Sequence, residues 1–195
     1  PIARMVGTKL KDKILPLRLS YFGNVYRYGE FQICKQREVA QAGIELLGAE
    51  GPEADAEVIA MAIQMFMDLG LKEFQIDIGQ VEFFKGIIQE ADITPENIED
   101  IRRLIDQKDM LSLERLLKEL PISNELKNIL YKIPQLYGDS SVLNEAMEIS
   151  HNAKSQAAID NIQQVYRIIK DYGFQHYISF DLGMVHSFDF YTGII

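Results

Sequence analysis

The sequence predicts a mixed α and β fold. Segments of period-two alternation rich in Tyr, Phe, Val and Ile are interleaved with segments of helical spacing, and a long run of helix starts and stops separates the strands into two groups. Composition agrees with a packed domain. The 195 residues are 47% hydrophobic and 25% charged, with 13 Gly and 6 Pro, which excludes the disordered, collagenous and low-complexity classes. A chain of this size hides roughly 70% of its unfolded surface on folding, so it can build a core without metal or disulfide staples.

Ile2 to Leu10 reads as part of a helix. Leu17 to Tyr28, dense in Tyr, Phe and Val, reads as a strand; Gly29 to Arg37 is a polar hairpin loop, and Glu38 to Leu47 is the returning strand. After Gly51-Pro52 the spacing predicts a helix over Glu53 to Leu69, with Val58, Ala62, Met65, Phe66 and Leu69 on its apolar side and Gly70 as a left-handed cap. Phe74 to Gly79 is a short strand.

From Gln80 to Ser150 helix signals dominate and no strand is evident. Thr94-Pro95 pairs an N-cap residue with Pro at the first helical position, and Ser123 offers a second cap. Ile98, Ile101, Leu104 and Ile105, then Leu113, Leu116, Leu117 and Leu120, then Leu126, Ile129 and Leu130, are expected in a core. A further helix over Ser155 to Tyr172 carries the stripe Ile159, Ile162, Val165 and Ile169 and ends at Gly173, after which Tyr177 to Met184 and Phe188 to Ile195 resume the strand pattern. Three parts follow: 1–79 and 151–195 as two pieces of one core, and 80–150 as a helical insertion. The start at Pro1 and the apolar stop at Ile194-Ile195 read as cuts in a longer chain.

Strand side chains alternate between faces, so each strand divides into two sets. In the second strand Ala40, Ala42, Ile44 and Leu46 oppose Gln41, Gly43 and Glu45. Gln41 and Glu45 are expected to stand ~13 Å apart on one side, with a glycine between them that leaves space above the sheet. Phe74, Ile76 and Ile78 likewise oppose Gln75, Asp77 and Gly79; Phe180, Leu182 and Met184 oppose Asp181 and Gly183; Phe188 and Phe190 oppose Asp189 and Tyr191; Arg27 shares a face with Gly23. A solvated face explains any one of these strands. Recurrence across five, if they pair in one antiparallel sheet, favours a polar floor notched by glycine for a small ligand. On that floor Glu45 can accept from an imidazole or ammonium group, Gln41 can donate and accept, Tyr191 can stack or donate, and Arg27 can hold a phosphate or carboxylate. The plain alternatives are a surface ion pair for Arg27, a core position for Tyr191 and solvation for Glu45.

Other chemistries find little support. The net charge of −9 works against unaided binding to a nucleic-acid backbone. No apolar run approaches the roughly 20 residues of a membrane helix, no signal-peptide pattern opens the chain, and Cys34 is the sole cysteine, so the cytoplasm is the expected address. His151, His176 and His186 lack metal-ligand spacing, and neither a dinucleotide fingerprint, a phosphate-binding loop nor a nucleophile elbow occurs. No catalytic residue, metal or cofactor is assigned.

Leu19-Ser20-Tyr21-Phe22-Gly23-Asn24-Val25-Tyr26-Arg27-Tyr28 and Gln41-Ala42-Gly43-Ile44-Glu45-Leu46-Leu47-Gly48 resemble the second signature motif of histidyl-tRNA synthetases and their paralogues. Asp55-Ala56-Glu57-Val58-Ile59 looks like the helix start that follows it, and His186-Ser187-Phe188-Asp189-Phe190-Tyr191-Thr192-Gly193 is similar to the family's histidine-binding segment. The resemblance implies an α+β fold with the antiparallel sheet of the class II aminoacyl-tRNA synthetase core, flanked by helices. It also implies histidine contacts for Gln41, Glu45 and Tyr191, and a phosphate contact for Arg27. Two positions depart from the synthetases: His186 stands where they have an arginine that promotes adenylate formation, and Gly29 where they commonly have Glu. Losing a permanently charged fork removes stabilisation of developing phosphate charge, worth about 3 kcal/mol of barrier. The combination is similar to the family of regulatory subunits of ATP phosphoribosyltransferase, a step of histidine biosynthesis. That likeness implies histidine as effector, a short-form catalytic subunit as partner, a homodimer within a hetero-oligomer, no catalysis of its own and no tRNA. A histidyl-tRNA synthetase core is the alternative.

Overall fold

The computed structural model describes residues 2–26, 37–89, 91, 93–185 and 191–195. The chain divides into two compact units, Pro1–Val58 and Ile59–Ile195. Arg27, Gly29, Cys34, His186, Phe188, Asp189 and Phe190, and with them nearly all of the expected hairpin loop, lie outside the described residues.

The first unit opens with helix α1 (Ile2–Thr8), followed by strands β1 (Leu17–Tyr26) and β2 (Glu38–Leu47). The two strands pair antiparallel from Leu17↔Leu47 to Tyr26↔Glu38. Both lie where alternation predicts them. Helix α2 (Pro52–Asp68) begins in this unit with Pro at its first position, acidic residues in its first turn and Gly51 before it at φ 98°. Arg18 on β1 forms a bidentate pair with Glu57 on α2, at 2.5 and 2.8 Å. Helix α2 closes on Gly70 at φ 86°, as expected of a left-handed cap. Its apolar face differs from the expected one. Ala56 and Ile63, two turns apart, are fully buried, whereas Met65 is exposed and Leu69 is 70% exposed. The helix is apolar on more than one side, and period alone does not choose among stripes.

The second unit packs helices on a small sheet. Strands β3 (Ile76–Ile78), β4 (Tyr137–Gly138) and β5 (Ile178–Asp181) order as β3-β5-β4, with β3 and β5 parallel and β4 antiparallel to β5. Among the described residues the strands fall into two sheets, of which the second is mixed. The physical reason is the connection: parallel neighbours need a crossover, and everything between β3 and β5 supplies it. Alternation assigns faces, not partners. The two-residue strand β4 is a further addition to a region read as wholly helical.

That crossover contains helices α3 (Val81–Gln89), α4 (Pro95–Asp106), α5 (Met110–Glu119), α6 (Asn124–Lys132), α7 (Ser141–Ile149) and α8 (Ala153–Asp171). Caps lie where expected: Thr94 accepts from the Asn97 amide and Ser123 from the Leu126 amide at 3.1 Å. Ile101, Leu104, Ile105, Leu113, Leu117 and Leu130 are buried, and so is the whole α8 stripe Ile159, Ile162, Val165 and Ile169. Helices α3 and α8 approach closely at Gly86, where a Cβ would lie 2.7 Å from the Ser155 amide nitrogen. Asn152 uses the same contact twice, accepting from Ser155 N at 2.8 Å as the α8 cap and donating to the Gly86 carbonyl at 3.1 Å. Among the described residues no helix is long and apolar enough to cross a membrane.

Candidate functional site

Register places Gln41, Gly43 and Glu45 of β2 opposite Gly23, Tyr21 and Leu19 of β1, so all six positions share one face of the hairpin. This face is half-buried. The opposite face carries Phe22, which is 83% exposed, with Ala40, Ala42 and Ile44, also exposed. The apolar set of β2 is thus mainly the exposed one and the set with Gln41 and Glu45 the half-buried one, the reverse of the usual burial of apolar side chains.

Tyr21 explains part of the reversal. Its ring lies across the ladder above Gly43, so that a Cβ on residue 43 would meet Tyr21 Cζ at 2.4 Å. Gln41 Nε2 donates to the Tyr21 hydroxyl at 2.5 Å. The space above Gly43, expected to be empty, is thus filled by an aromatic side chain from the paired strand, the arrangement by which a cross-strand aromatic covers a glycine. Gly23 differs: among the described residues, its chain neighbours aside, no atom lies within 4 Å of the place a Cβ would take. Among the described residues an open notch therefore remains beside Gln41. Sequence reasoning passed over Tyr21 because only the register identifies the residue facing Gly43. Counting back from a known loop closure supplies that register.

On the other face Glu38 accepts from Asn24 Nδ2 at 2.7 Å and from the Tyr26 hydroxyl at 2.8 Å, and the carboxylate holds the Tyr26 phenol above its ordinary pKa. Near the start of α2, burial pushes the Asp55 carboxyl up, while the hydrogen bond from Arg18 holds Glu57 down.

Tyr191 belongs to the second unit, Gln41 and Glu45 to the first. The last residues run antiparallel to the start of α3: Gly79 and Ile195 exchange backbone hydrogen bonds at 2.8 and 3.1 Å, and Val81 N donates to the Gly193 carbonyl at 3.0 Å. Tyr191 is 39% exposed, and its carbonyl accepts from Lys85 Nζ at 2.9 Å. Lys85 is a neighbour that no sequence pattern announced. Arg27 lies outside the described residues.

The polar side of the second sheet is closed by its own partners. Ser179 donates to Asp77, Lys108 pairs with Asp181 at 2.6 Å, and the Lys108 ammonium stands 4.4 Å from the Tyr137 ring centroid. Its glycines are filled as well: a Cβ on Gly79 would lie 2.9 Å from the Asp181 carbonyl oxygen, and one on Gly183 would lie 3.2 Å from Pro134 Cα. Of the two readings of a strand glycine, close backbone approach applies at Gly79. His151 faces Glu125 at 3.3 Å, and His176 lies beside Gln175. Among the described residues no three His, Cys, Asp or Glu side chains gather as a metal cluster.

The histidyl-tRNA synthetase family profile matches residues 1–195. A protein of Acetivibrio thermocellus named ATP phosphoribosyltransferase regulatory subunit is 47% identical over 195 residues, all of this chain and 47% of its own length. One of the same name from Ruminiclostridium cellulolyticum is 45% identical over 194 residues, 46% of its length. The chain thus spans about half the length of the curated relatives it matches. Among solved structures, an ATP phosphoribosyltransferase regulatory subunit/histidyl-tRNA synthetase from Bacillus halodurans superposes with a TM-score of 0.91 at 33% identity, over all of this chain and 50% of that one. Histidyl-tRNA synthetase from Nostoc sp. PCC 7120 superposes at 0.82 with 20% identity over 46% of its chain, a likeness of fold. The fold is that of a class II synthetase core, and the chain belongs to the histidyl-tRNA synthetase family.

Proposed function

We propose that the full-length protein is the regulatory subunit of ATP phosphoribosyltransferase, binding histidine without activating it and passing that occupancy to a short-form catalytic subunit. The observation that carries this reading is the 47% identity, over all of this chain, to a protein of that name. The half-buried hairpin face with Gln41 and Glu45 on one side of β2 supports it. In this reading Gln41 and Glu45 contact the ligand together with Tyr191, and Arg27 meets an anionic group. The subunit has no catalysis of its own, needs no cofactor, binds no tRNA, works in the cytoplasm and forms a homodimer within the hetero-oligomer. A solved ATP phosphoribosyl transferase complex from Thermotoga maritima shares the fold, with a TM-score of 0.72 at 16% identity.

Regulation sets a physical requirement: histidine must bind more tightly to the inhibited assembly than to the active one, because an effector with equal affinity for both shifts nothing. Calorimetry on the full-length protein tests the site. Histidine affinity is expected to fall at least tenfold in the double variant Glu45→Ala, Tyr191→Phe, in line with losing a charge-assisted contact and a hydroxyl; unchanged affinity removes the assignment.

The double name of the Bacillus halodurans structure favours one second reading, a histidyl-tRNA synthetase. Histidine-dependent exchange of pyrophosphate into ATP separates the two. The regulatory reading expects none, and exchange above background establishes the enzyme.

A further inference from the structure

The hairpin face carries a residue that the ligand assignment does not use. Tyr21 is half-buried, directly opposite Gly43, between the positions of Gln41 and Glu45 on the neighbouring strand. Two contacts fix it. Its ring fits only because residue 43 lacks a Cβ, which would lie 2.4 Å from both Cζ and the hydroxyl oxygen, and that hydroxyl accepts from Gln41 Nε2 at 2.5 Å. Tyr21, Gly43 and Gln41 therefore act as one unit.

We propose that Tyr21 is a positioning residue for the effector, holding the Gln41 amide in its binding orientation before histidine arrives. This rests on the reading of Gln41 as a histidine contact. A primary amide has two N–H donors and one carbonyl acceptor. With one donor committed to Tyr21, Gln41 keeps the carbonyl and one N–H for the ligand, in a defined direction. Gln is among the side chains that lose most rotamer freedom when ordered, so an amide already held leaves less ordering cost for the ligand to meet. The glycine beneath the ring takes on a structural meaning: it provides the slot that lets the phenol reach Gln41.

The test is a double-mutant cycle on histidine affinity, measured by calorimetry on the full-length protein with Tyr21→Phe, Gln41→Ala and the pair. Tyr21→Phe keeps the ring on Gly43 and removes only the hydroxyl. Affinity is expected to fall about three- to tenfold, the effect of one lost hydrogen bond. In the Gln41→Ala background the same substitution is expected to change affinity by less than about twofold, because the two residues act through one contact. Wild-type affinity in Tyr21→Phe overturns the proposal while leaving histidine binding intact. An equal loss in both backgrounds also overturns it, since a general effect on the hairpin does not depend on Gln41. A wild-type protein that binds no histidine overturns the underlying reading and this inference with it.

Discussion

The two compact units bury their side chains very differently. In the first, β1 alternates half-buried and exposed positions along its full length, and among the described residues of that unit Ala56 is the one apolar side chain fully buried. In the second, Phe83, Phe180, Ile105, Leu113, Ile133, Ile159 and Ile162 are all sealed from solvent. A two-stranded hairpin is marginal as an independent structure, whereas helices packed on one another and on a sheet are not. Folding energy is concentrated where no ligand contact but Tyr191 is assigned. The face with Gln41 and Glu45 lies where side chains contribute little to it, so substitutions there report on binding.

The sharpest way to break that contrast uses one residue type in both places. Phe180, 1% exposed on β5, packs edge-on against Tyr166 with ring centroids 5.2 Å apart, while Phe22 on β1 is 83% exposed. Phe180→Ala is expected to cost about 3–5 kcal/mol by loss of transfer energy and an unfilled cavity. Phe22→Ala is expected to stay within about 0.5 kcal/mol. Urea unfolding measures both, and equal losses abolish the distinction between the units.

Gly86→Ala probes the helical unit at its closest backbone approach. Helix propensity alone favours alanine by about 1 kcal/mol in a helix interior. Here the new Cβ meets the Ser155 backbone nitrogen at 2.7 Å and the Asn152 side chain at 3.0 Å, and a backbone atom does not yield as a flexible side chain does. Separating α3 from α8 also breaks the Asn152 donation to the Gly86 carbonyl. A net loss of about 1–3 kcal/mol is expected, read from the denaturation midpoint; a more stable variant shows that the helices slide apart without penalty.

How much of this was legible in the sequence depended on whether the signal was local. The α8 stripe, the caps at Thr94 and Ser123 and the glycines after α2 and α8 are local, and each reappears in place. The bounds of β2 were readable for the same reason. Sheet partnership is not local: nothing in Ile76–Ile78 announces a parallel neighbour about a hundred residues later, beyond a crossover of helices. The face of α2 was missed because several stripes of that helix are apolar. At the candidate site, alternation grouped Gln41, Gly43 and Glu45 correctly, but glycine was read as vacancy when a tyrosine on the partner strand filled it. A glycine in one strand says that something comes close; only the register says what.

The smallest effect comes from the charges, where each unit holds a carboxylate below its usual pKa. Glu57 owes its shift to the hydrogen bond from Arg18 in a solvent-exposed pair. Glu82, at the start of α3, is more enclosed: burial alone raises it, but hydrogen bonds from Lys154 at 2.8 Å and Lys85 at 3.2 Å outweigh that and leave it lowered. A depressed folded-state pKa stabilises the protein above the unfolded value near 4.3, and that contribution is lost as pH falls through the lower folded value. Glu82→Gln is therefore expected to cost about 0.5–1 kcal/mol at pH 7 and progressively less below pH ~4, because protonation has by then removed the same charge from the wild type. Glu57→Gln is expected to cost less than Glu82→Gln at pH 7 and nothing in acid, since water and salt already screen its exposed pair with Arg18. Unfolding midpoints at pH 7 and pH 3 decide the matter. A Glu82 effect that persists unchanged into acid means that the side chain acts by packing and not by charge, and the enclosed ion pair then marks no electrostatic difference between the two units.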